Sequence, residues 1–329
     1  VHGMERRVTP QMAAPAWDQK LLEDRWERAA ALARLLEKHH PHLFLLPEVR
    51  FPLAVADRAR GYPKQAQRWF FAQRRSLTHD AWWACAQMED WLERPEGQPP
   101  KPLAFCTPAG AKPRLDGRLD EPFWREAKPL VLGREPLSAK TTSSDAAPTN
   151  ANCPEQPSPK EGPSKPTSET PPQEKILSAE VRLAYDTQYL YLGVRCPKAS
   201  GVEYPTSGGP RPRDPDLADH DRVEIFLDLD RDWTTYWRLV VDHRGWTGES
   251  CWGDRSWNPQ WFVAAQEDAH SWTVEAAIGL DQLTGFFPKA NSRWTIGVQR
   301  IVPGVGIHTF PDVGSRPLHP SEFGLLIFQ

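Results

Sequence analysis

The chain lacks three features that would place it in common classes of protein: an excess of basic residues, a long apolar run and closely paired cysteines. Its 329 residues include Lys+Arg 40 and Asp+Glu 43, which gives a formal net charge of −3. A nucleic-acid surface needs clustered basic charge. A membrane-spanning helix needs roughly 20 apolar residues. We therefore expect no nucleic-acid partner and no membrane span.

Signals for targeting, disulfide bonding and common catalytic motifs are also scarce. No apolar segment follows the basic residues of 1–7, so no signal peptide is visible. The chain starts with Val, which leaves open whether it is a fragment of a longer protein. The sequence contains no Walker loop, nucleophile elbow or dinucleotide fingerprint. The cysteines are odd in number and none is in a C-x-x-C pair, so the sequence indicates no disulfide framework and no zinc site. One disulfide bond between two of them is left open. They are Cys85, Cys106, Cys153, Cys196 and Cys251.

The first hundred residues have the periodicity of helices. Apolar residues recur at spacings of three and four, with polar residues between them, until prolines break the pattern at 95–102. Residues 1–100 are therefore predicted to form a small helical region, whose role the sequence does not give. The predicted helices are 17–40, 53–60, 63–75 and 78–94.

Residues 134–175 have a different composition, rich in Pro, Ser and Thr. The segment contains no aromatic residue and one large aliphatic residue, Leu137. It cannot bury enough apolar surface to offset the entropy of ordering, so it is predicted to be disordered. Because predicted strands lie on both sides of it, at 128–132 and 178–185, it is interpreted as an insertion within one domain.

The remaining sequence predicts a mainly β fold. Alternating apolar and polar residues form many short segments with turn signals between them, which is typical of an antiparallel β-sandwich. Residues 186–188 are predicted to form a hairpin turn. The predicted strands after the insertion are 178–185, 189–195, 222–230, 235–242, 246–252, 260–267, 271–278, 293–302 and 323–328.

The strand at 222–230 places charged residues on a face that is not the core. Its apolar residues point one way, whereas Glu224, Phe226 and Asp228 point the other way. If 231–234 form the hairpin turn, Arg238 lies across from Phe226 and diagonal to both carboxylates. Sugar recognition uses this mixture, because planar charged groups bind adjacent hydroxyls and aromatic rings stack on C–H faces. A solvated sheet face with an ion pair is the equally simple alternative.

Four segments in a fixed order carry a family resemblance. Over roughly residues 103–329 the chain resembles the family 9 carbohydrate-binding modules and the wider group of DOMON-like β-sandwiches. The resemblance does not extend to the first hundred residues. It implies non-catalytic binding of a mono-, oligo- or polysaccharide, in an extracellular or periplasmic system of carbohydrate degradation or at the cell surface. The four segments are 113–126, 181–194, 221–228 and 320–324.

The resemblance implies particular contact residues. Glu224 and Arg238 match the family's sugar-contacting Glu and Arg, with Tyr236 as support. The family also clamps the sugar between two Trp rings, and the equivalent positions fall near Ala218 and Pro317, so both rings are missing. Asp228, Trp257 and Arg300 are further candidates, and Gln299, beside Arg300, is a weaker one. The family's structural calcium would find oxygen ligands at Asp214, Asp216, Asp219 and Asp221, although no cofactor is required.

Other functions are weighed against carbohydrate binding. A glycoside hydrolase needs two carboxylates about 5–10 Å apart across a cleft. A sheet face is not a cleft, and the helical region is far below the roughly 250 residues of a TIM barrel. We expect no intrinsic hydrolase activity, although the chain could be the accessory module of a hydrolase. A structural or protein-interaction sandwich is the main alternative. A haem carrier is less favoured, because all three Met lie outside the sandwich: Met4, Met12 and Met88.

Overall fold

The computed structural model describes residues 19–133, 177–206, 212 and 215–329, with side chains from residue 23 onwards. The predicted disordered insertion, 134–175, lies outside the described residues. Cys153 and Asp214 lie outside them as well. Within the described residues, none of the helices combines the length and the apolar character that crossing a bilayer would require.

Five helices precede the sandwich. Proline is the first residue of three of them, where its missing N–H would have no helical partner. The fifth is capped by Asp80, which accepts a hydrogen bond from the backbone of Trp83 at 2.9 Å. The third begins six residues before the predicted start and contains Pro52. The helices are α1 Gln19–His39, α2 Pro41–Phe44, α3 Pro47–Ala59, α4 Pro63–Arg74 and α5 Ala81–Trp91.

Twelve strands follow, and the predicted mainly β sandwich is confirmed. The sequence pattern did not indicate β1 and β11. Short helices α6 Pro122–Glu126 and α7 Leu280–Leu283 and a 3-10 helix Pro320–Glu322 lie between strands. The strands are β1 Leu103–Pro108, β2 Leu130–Leu132, β3 Ala179–Tyr185, β4 Tyr189–Pro197, β5 Arg222–Asp228, β6 Trp237–Asp242, β7 Thr247–Cys251, β8 Trp261–Glu267, β9 Ser271–Gly279, β10 Arg293–Val302, β11 Gly306–Phe310 and β12 Gly324–Phe328.

The strands form one continuous path that folds over into two layers. The front sheet has the order β7-β6-β5-β10-β12, with β11 beside β10. The back sheet has the order β3-β4-β9-β8, with β2 beside β3. Strand β1 joins them, because 103–106 pair with β12 and 107–108 pair with β3. Both pairings of β1 are parallel, whereas the other pairings are antiparallel.

The main core lies between the two sheets. Alternation along β5 turns its apolar residues inward, and those of β3, β4, β9 and β10 meet them from both layers. Burial of this apolar surface is the principal stabilising term. Members of the core include Val181, Leu183, Leu192, Val194, Val223, Ile225, Leu227, Leu239, Trp272, Val274, Trp294 and Ile296.

The outer face of the back sheet is closed by the segment 113–126. Phe123 and Trp124 of α6 pack on Tyr191 and neighbouring alanines. Glu275 of β9 fixes the segment, because its carboxylate accepts hydrogen bonds from Trp124 Nε1 at 2.9 Å and from the backbone of Asp116 at 3.1 Å. Burial raises the pKa of Glu275 to about 7, with the Glu121 carboxyl beside it acting in the same direction. The first motif of the resemblance therefore has a packing role here.

The helical region packs on the outer face of the front sheet. Helices α3 to α5 share one apolar cluster with β5, β12 and the turn after β5. Glu89 of α5 strengthens this contact by accepting hydrogen bonds from Arg58 at 2.8 Å, from Arg231 at 3.1 Å and from Trp233 Nε1 at 3.2 Å. The cluster contains Phe51, Ala54, Ala66, Phe70, Trp82, Cys85, Ala86, Met88, Leu92, Phe226, Trp233, Phe323 and Leu325.

Candidate functional site

The front sheet carries a polar cluster beside the area that the helices cover. Strand pairing puts Arg238 opposite Phe226, as the hairpin prediction requires, and puts Gln299 of β10 opposite Glu224. Residues in register across neighbouring strands project from the same face. Three adjacent strands therefore present Glu224, Arg238 and Gln299 on the outer face, and Arg222 joins them from the start of β5. We call these four residues the Glu224 cluster.

Hydrogen bonds hold the carboxylate of Glu224 on both oxygens. Arg238 donates from Nε to one oxygen at 3.0 Å and approaches the other through its terminal nitrogen at 2.8 Å. Arg222 Nε and Gln299 Nε2 each donate at 2.9 Å. Burial opposes ionisation of Glu224, but these donors outweigh it, and the pKa of Glu224 lies below its ordinary value. The cluster thus contains a fixed, ionised carboxylate.

Arg238 is the member of the cluster that faces solvent. Its side chain is 34% exposed, against 3% for Glu224, and Gln299 is also buried. Two of its five N–H groups are directed at Glu224, so the others remain available on the outer face. The geometry therefore offers a ligand a guanidinium whose orientation is already set.

Two loop segments flank the cluster, at the positions that the sequence resemblance assigned to two Trp rings. On one side, Arg222 donates to the backbone oxygen of Ala218 at 2.9 Å. On the other side, the backbone N–H of Leu318, next to Pro317, donates to Gln299 at 3.2 Å. Neither Ala218 nor Pro317 supplies an aromatic ring, since their side chains are small or aliphatic.

Tyr236, the third predicted contact, is held by aromatic neighbours. Its ring meets Phe226 at 5.4 Å and Phe323 at 6.1 Å between centroids, both edge-on. It also packs against the apolar cluster of the helical region. Tyr236 is half-buried and lies at the border between the helical cover and the open part of the face.

The structure gives Asp228 a turn-forming role. It is buried and accepts hydrogen bonds from the backbone of Arg231 and Trp233, both at 2.8 Å. These two residues have positive φ angles of 59° and 58°, which such bonds help to hold. Burial and the neighbouring Asp232 and Asp230 carboxylates raise the pKa of Asp228. Among the described residues, these three aspartates are the acidic group whose oxygens converge as metal ligands would, within 4.8 Å.

Arg300 lies inside the sandwich and not on the outer face, contrary to its selection as a ligand contact. It is fully buried and pairs with Asp221 through Nε at 3.0 Å and a terminal nitrogen at 2.7 Å. The reason is strand alternation: Arg300 has the same parity as the core residues Ile296 and Val298, and a shift of one position reverses the face. Gln299, the weaker candidate beside it, occupies the outer position, and the parity of its neighbours is the signal that separates the two.

The remaining candidates are dispersed. Trp257 is half-buried and its ring lies 4.4 Å from that of Trp237, which points to the core side of β6, so it is apart from Arg238. Of the proposed calcium ligands that are described, Asp216 and Asp219 are exposed, whereas Asp221 is buried against Arg300. These three do not form a converging group of the kind found at Asp228.

Comparisons with known proteins concern the fold. No protein-family model matches the chain, and no curated protein matches it. Among solved structures, it is similar to a family 9 carbohydrate-binding module from Caldicellulosiruptor kristjanssonii in complex with glucose, with a TM-score of 0.40 and 14% identity over 69% of this chain and 96% of that chain. It is also similar to a putative carbohydrate-binding protein from Bacteroides uniformis, with a TM-score of 0.37 and 14% identity over 46% of this chain and 78% of that chain.

The first of these structures belongs to the family that the sequence resembles. The class of protein that the architecture defines is a two-layered β-sandwich with a helical region on one outer face.

Proposed function

We propose that the chain is a non-catalytic carbohydrate-binding protein and that the Glu224 cluster contacts the sugar. The observation that carries the proposal is the arrangement of Arg238, which is one-third exposed while Glu224 fixes its guanidinium. Neighbouring sugar hydroxyls can accept from its remaining N–H groups in the planar geometry that guanidinium favours. The low pKa of Glu224 keeps this support in place at neutral pH.

Binding at this site is expected to rely on hydrogen bonds more than on stacking. Ala218 and Pro317 stand at the positions that the resemblance gives to the family's Trp rings, so these two residues provide no aromatic face for a sugar. Preorganisation of Arg238 offsets part of this loss, because its rotamer is already restricted before a ligand arrives. Weak affinity for a single sugar ring is the consequence we expect.

An extracellular or periplasmic setting, as part of a carbohydrate-degrading or cell-surface system, belongs to the same proposal. Its support is the sequence resemblance alone. A structural calcium also rests on that resemblance, and it is included as a variable in the test.

Calorimetric titration of the whole chain tests the proposal. A panel of mono- and oligosaccharides is titrated with and without calcium, using the unsubstituted chain and Arg238→Ala. The matched control is Arg195→Ala, because Arg195 is also a strand arginine and is exposed on the back sheet. We expect sugar binding that Arg238→Ala removes and Arg195→Ala retains. Equal affinity in all three proteins, or no heat with any sugar, contradicts the proposal.

A protein-interaction sandwich is the second candidate, and a specific observation favours it. Helix α1 and the turns around α2 expose large leucines, among them Leu32 at 62%, Leu35 at 57% and Leu45 at 58%. Exposed apolar side chains grouped on one region often mark contact surfaces. This candidate predicts no response to any sugar, so the same titration separates it from carbohydrate binding.

A further inference from the structure

Helix α4 and the residue that caps its C-terminus, Arg75, carry a line of exposed cations that have no acidic partner among the described residues. Lys64, Arg68 and Arg75 are all exposed. They follow one another at intervals of four and seven residues, with Phe71 between the last two. Residues at such spacings share one side of a helix. We call Lys64, Arg68, Phe71 and Arg75 the α4 stripe.

The local sequence is unusually basic for a chain of net negative charge. Between residues 50 and 75 there are seven Lys or Arg residues and a single acidic residue, Asp57. Residues 50–75 therefore contribute an excess of positive charge, although the formal charge of the chain is −3 and α5 places acidic residues beside α4. A local field of this kind attracts anionic ligands independently of the net charge.

The stripe has an aromatic residue as part of its surface. Phe71 is 49% exposed. The guanidinium groups of Arg74 and Arg75 both lie 5.4 Å from the centre of its ring. This cation–π contact restrains the two arginines and leaves part of the ring open. Cations and an apolar ring together suit a ligand that has both anionic groups and C–H faces.

A groove between α4 and α5 adjoins the stripe. Its volume is about 380 Å³, and Lys64, Arg68 and Phe71 contribute to its lining. The groove also contains acidic residues, and these already have partners. Asp90 is paired with Arg74, and Glu93 accepts a hydrogen bond from Gln67. Glu89 is bound to Arg58 and Arg231. Gln67 is neutral, so Glu93 keeps its negative charge at the groove, where Lys64 and Arg68 are the two cations without an acidic partner among the described residues.

We propose that the α4 stripe and its groove bind an anionic polysaccharide, through carboxylates of uronic acid residues. Lys64, Arg68 and Arg75 would pair with successive carboxylates, and Phe71 would contact a sugar ring. The choice of a polysaccharide over other polyanions rests on the proposed carbohydrate-binding function; the cationic stripe itself does not. The site is separate from the Glu224 cluster.

The test uses the whole chain and a pair of matched polymers, polygalacturonate and its fully methyl-esterified form. The two differ in charge while sharing the sugar backbone. We expect binding of polygalacturonate that weakens as salt is added, and little binding of the ester. The triple variant Lys64→Ala/Arg68→Ala/Arg75→Ala is expected to bind polygalacturonate at least about tenfold more weakly, since three ion pairs are lost.

The matched control removes the same charge elsewhere. Arg28, Arg34 and Lys38 are exposed on α1, and their triple alanine variant should retain most of the affinity. Equal weakening in both variants, or equal binding of the acid and the ester, overturns the proposal. Stronger binding of duplex DNA or of anionic lipid vesicles than of polygalacturonate, at matched charge concentration, also overturns it.

The outcomes separate this proposal from the one for the Glu224 cluster. Arg238→Ala should leave polygalacturonate binding unchanged and remove binding of the neutral sugar. Polygalacturonate binding without any neutral sugar binding supports the stripe and removes the proposed role of the cluster. Binding of a neutral sugar without binding of polygalacturonate supports the role of the Glu224 cluster and overturns the proposal for the α4 stripe.

Discussion

The outer faces of the two sheets each contain a buried glutamate, and the two are in opposite electrostatic settings. On the back sheet, Glu275 receives hydrogen bonds from Trp124 and from backbone amides, and burial raises its pKa to about 7. On the front sheet, Glu224 receives them from two arginines and an amide, and its pKa is lowered. A carboxyl group whose pKa is raised to about 7 suits the packing of a covering segment. The carboxylate of Glu224 stays ionised and holds Arg238, whose exposed guanidinium is the charged group at the surface.

The two faces are also covered in different ways. The back face is closed by the segment 113–126, which belongs to the sandwich itself. The front face is covered in part by the helical region and in part by the loops beside the Glu224 cluster. Substitutions on each face should therefore separate stability from binding, with the largest loss of stability expected on the back face.

The largest effect is expected from Trp124→Ala. Trp124 is about 1% exposed, and its removal leaves a cavity and takes a hydrogen-bond donor from Glu275. The free energy of unfolding should fall by about 4 kcal/mol, as measured by urea denaturation. Trp252→Ala is the control, because Trp252 is 63% exposed. A similar loss in both variants would mean that the back cover is not a packed layer.

A smaller loss is expected from Glu89→Ala at the front face. The substitution leaves Arg58 and Arg231 without their carboxylate at the contact between helices and sheet. Removing one partner of a buried ionic group costs about 3 kcal/mol, which urea unfolding can measure. Glu96→Ala, at an exposed position, should have little effect. If Glu89→Ala is equally mild, the helical region is not anchored by this network.

The pH dependence of stability distinguishes the two glutamates. In the folded protein the pKa of Glu275 is raised from 4.5 to about 7, so the folded state holds a proton that the unfolded state releases between these values. Its contribution to stability is complete below pH 4.5 and declines as the pH rises to 7, by about 1–3 kcal/mol. Glu275→Gln cannot release this proton. Relative to it, the unsubstituted protein should lose stability over that interval, and parallel pH profiles would contradict the raised pKa.

The sequence could predict what depends on alternation and little of what depends on distant contacts. Parity along β5 and β6 placed Glu224 and Arg238 on one face, because the period of a strand is fixed. The same rule, applied to β10, would have ranked Gln299 above Arg300. Strand β1 was missed because its partners, β12 and β3, are distant in sequence and the segment itself is short and ends in proline.

The helical cover could not be predicted from the sequence for a related reason. The periodicity of α5 shows that one side is apolar, but it does not show what that side contacts. In the structure that side meets Phe226 and Phe323 of the sandwich. The choice between a helix–helix core and a helix–sheet core is made by tertiary packing, which a local pattern does not contain.

The smallest effect on stability is expected at the residue with the largest proposed effect on binding. Arg238 is one-third exposed, so Arg238→Ala should lower the free energy of unfolding by no more than about 1 kcal/mol. Glu224 keeps Arg222 and Gln299 as donors, which limits the cost of losing Arg238. Urea unfolding measures the first quantity, and calorimetric titration with sugars measures the second. A loss of several kcal/mol would identify Arg238 as part of the packing, in the same category as Trp124, and would remove the distinction between the two faces.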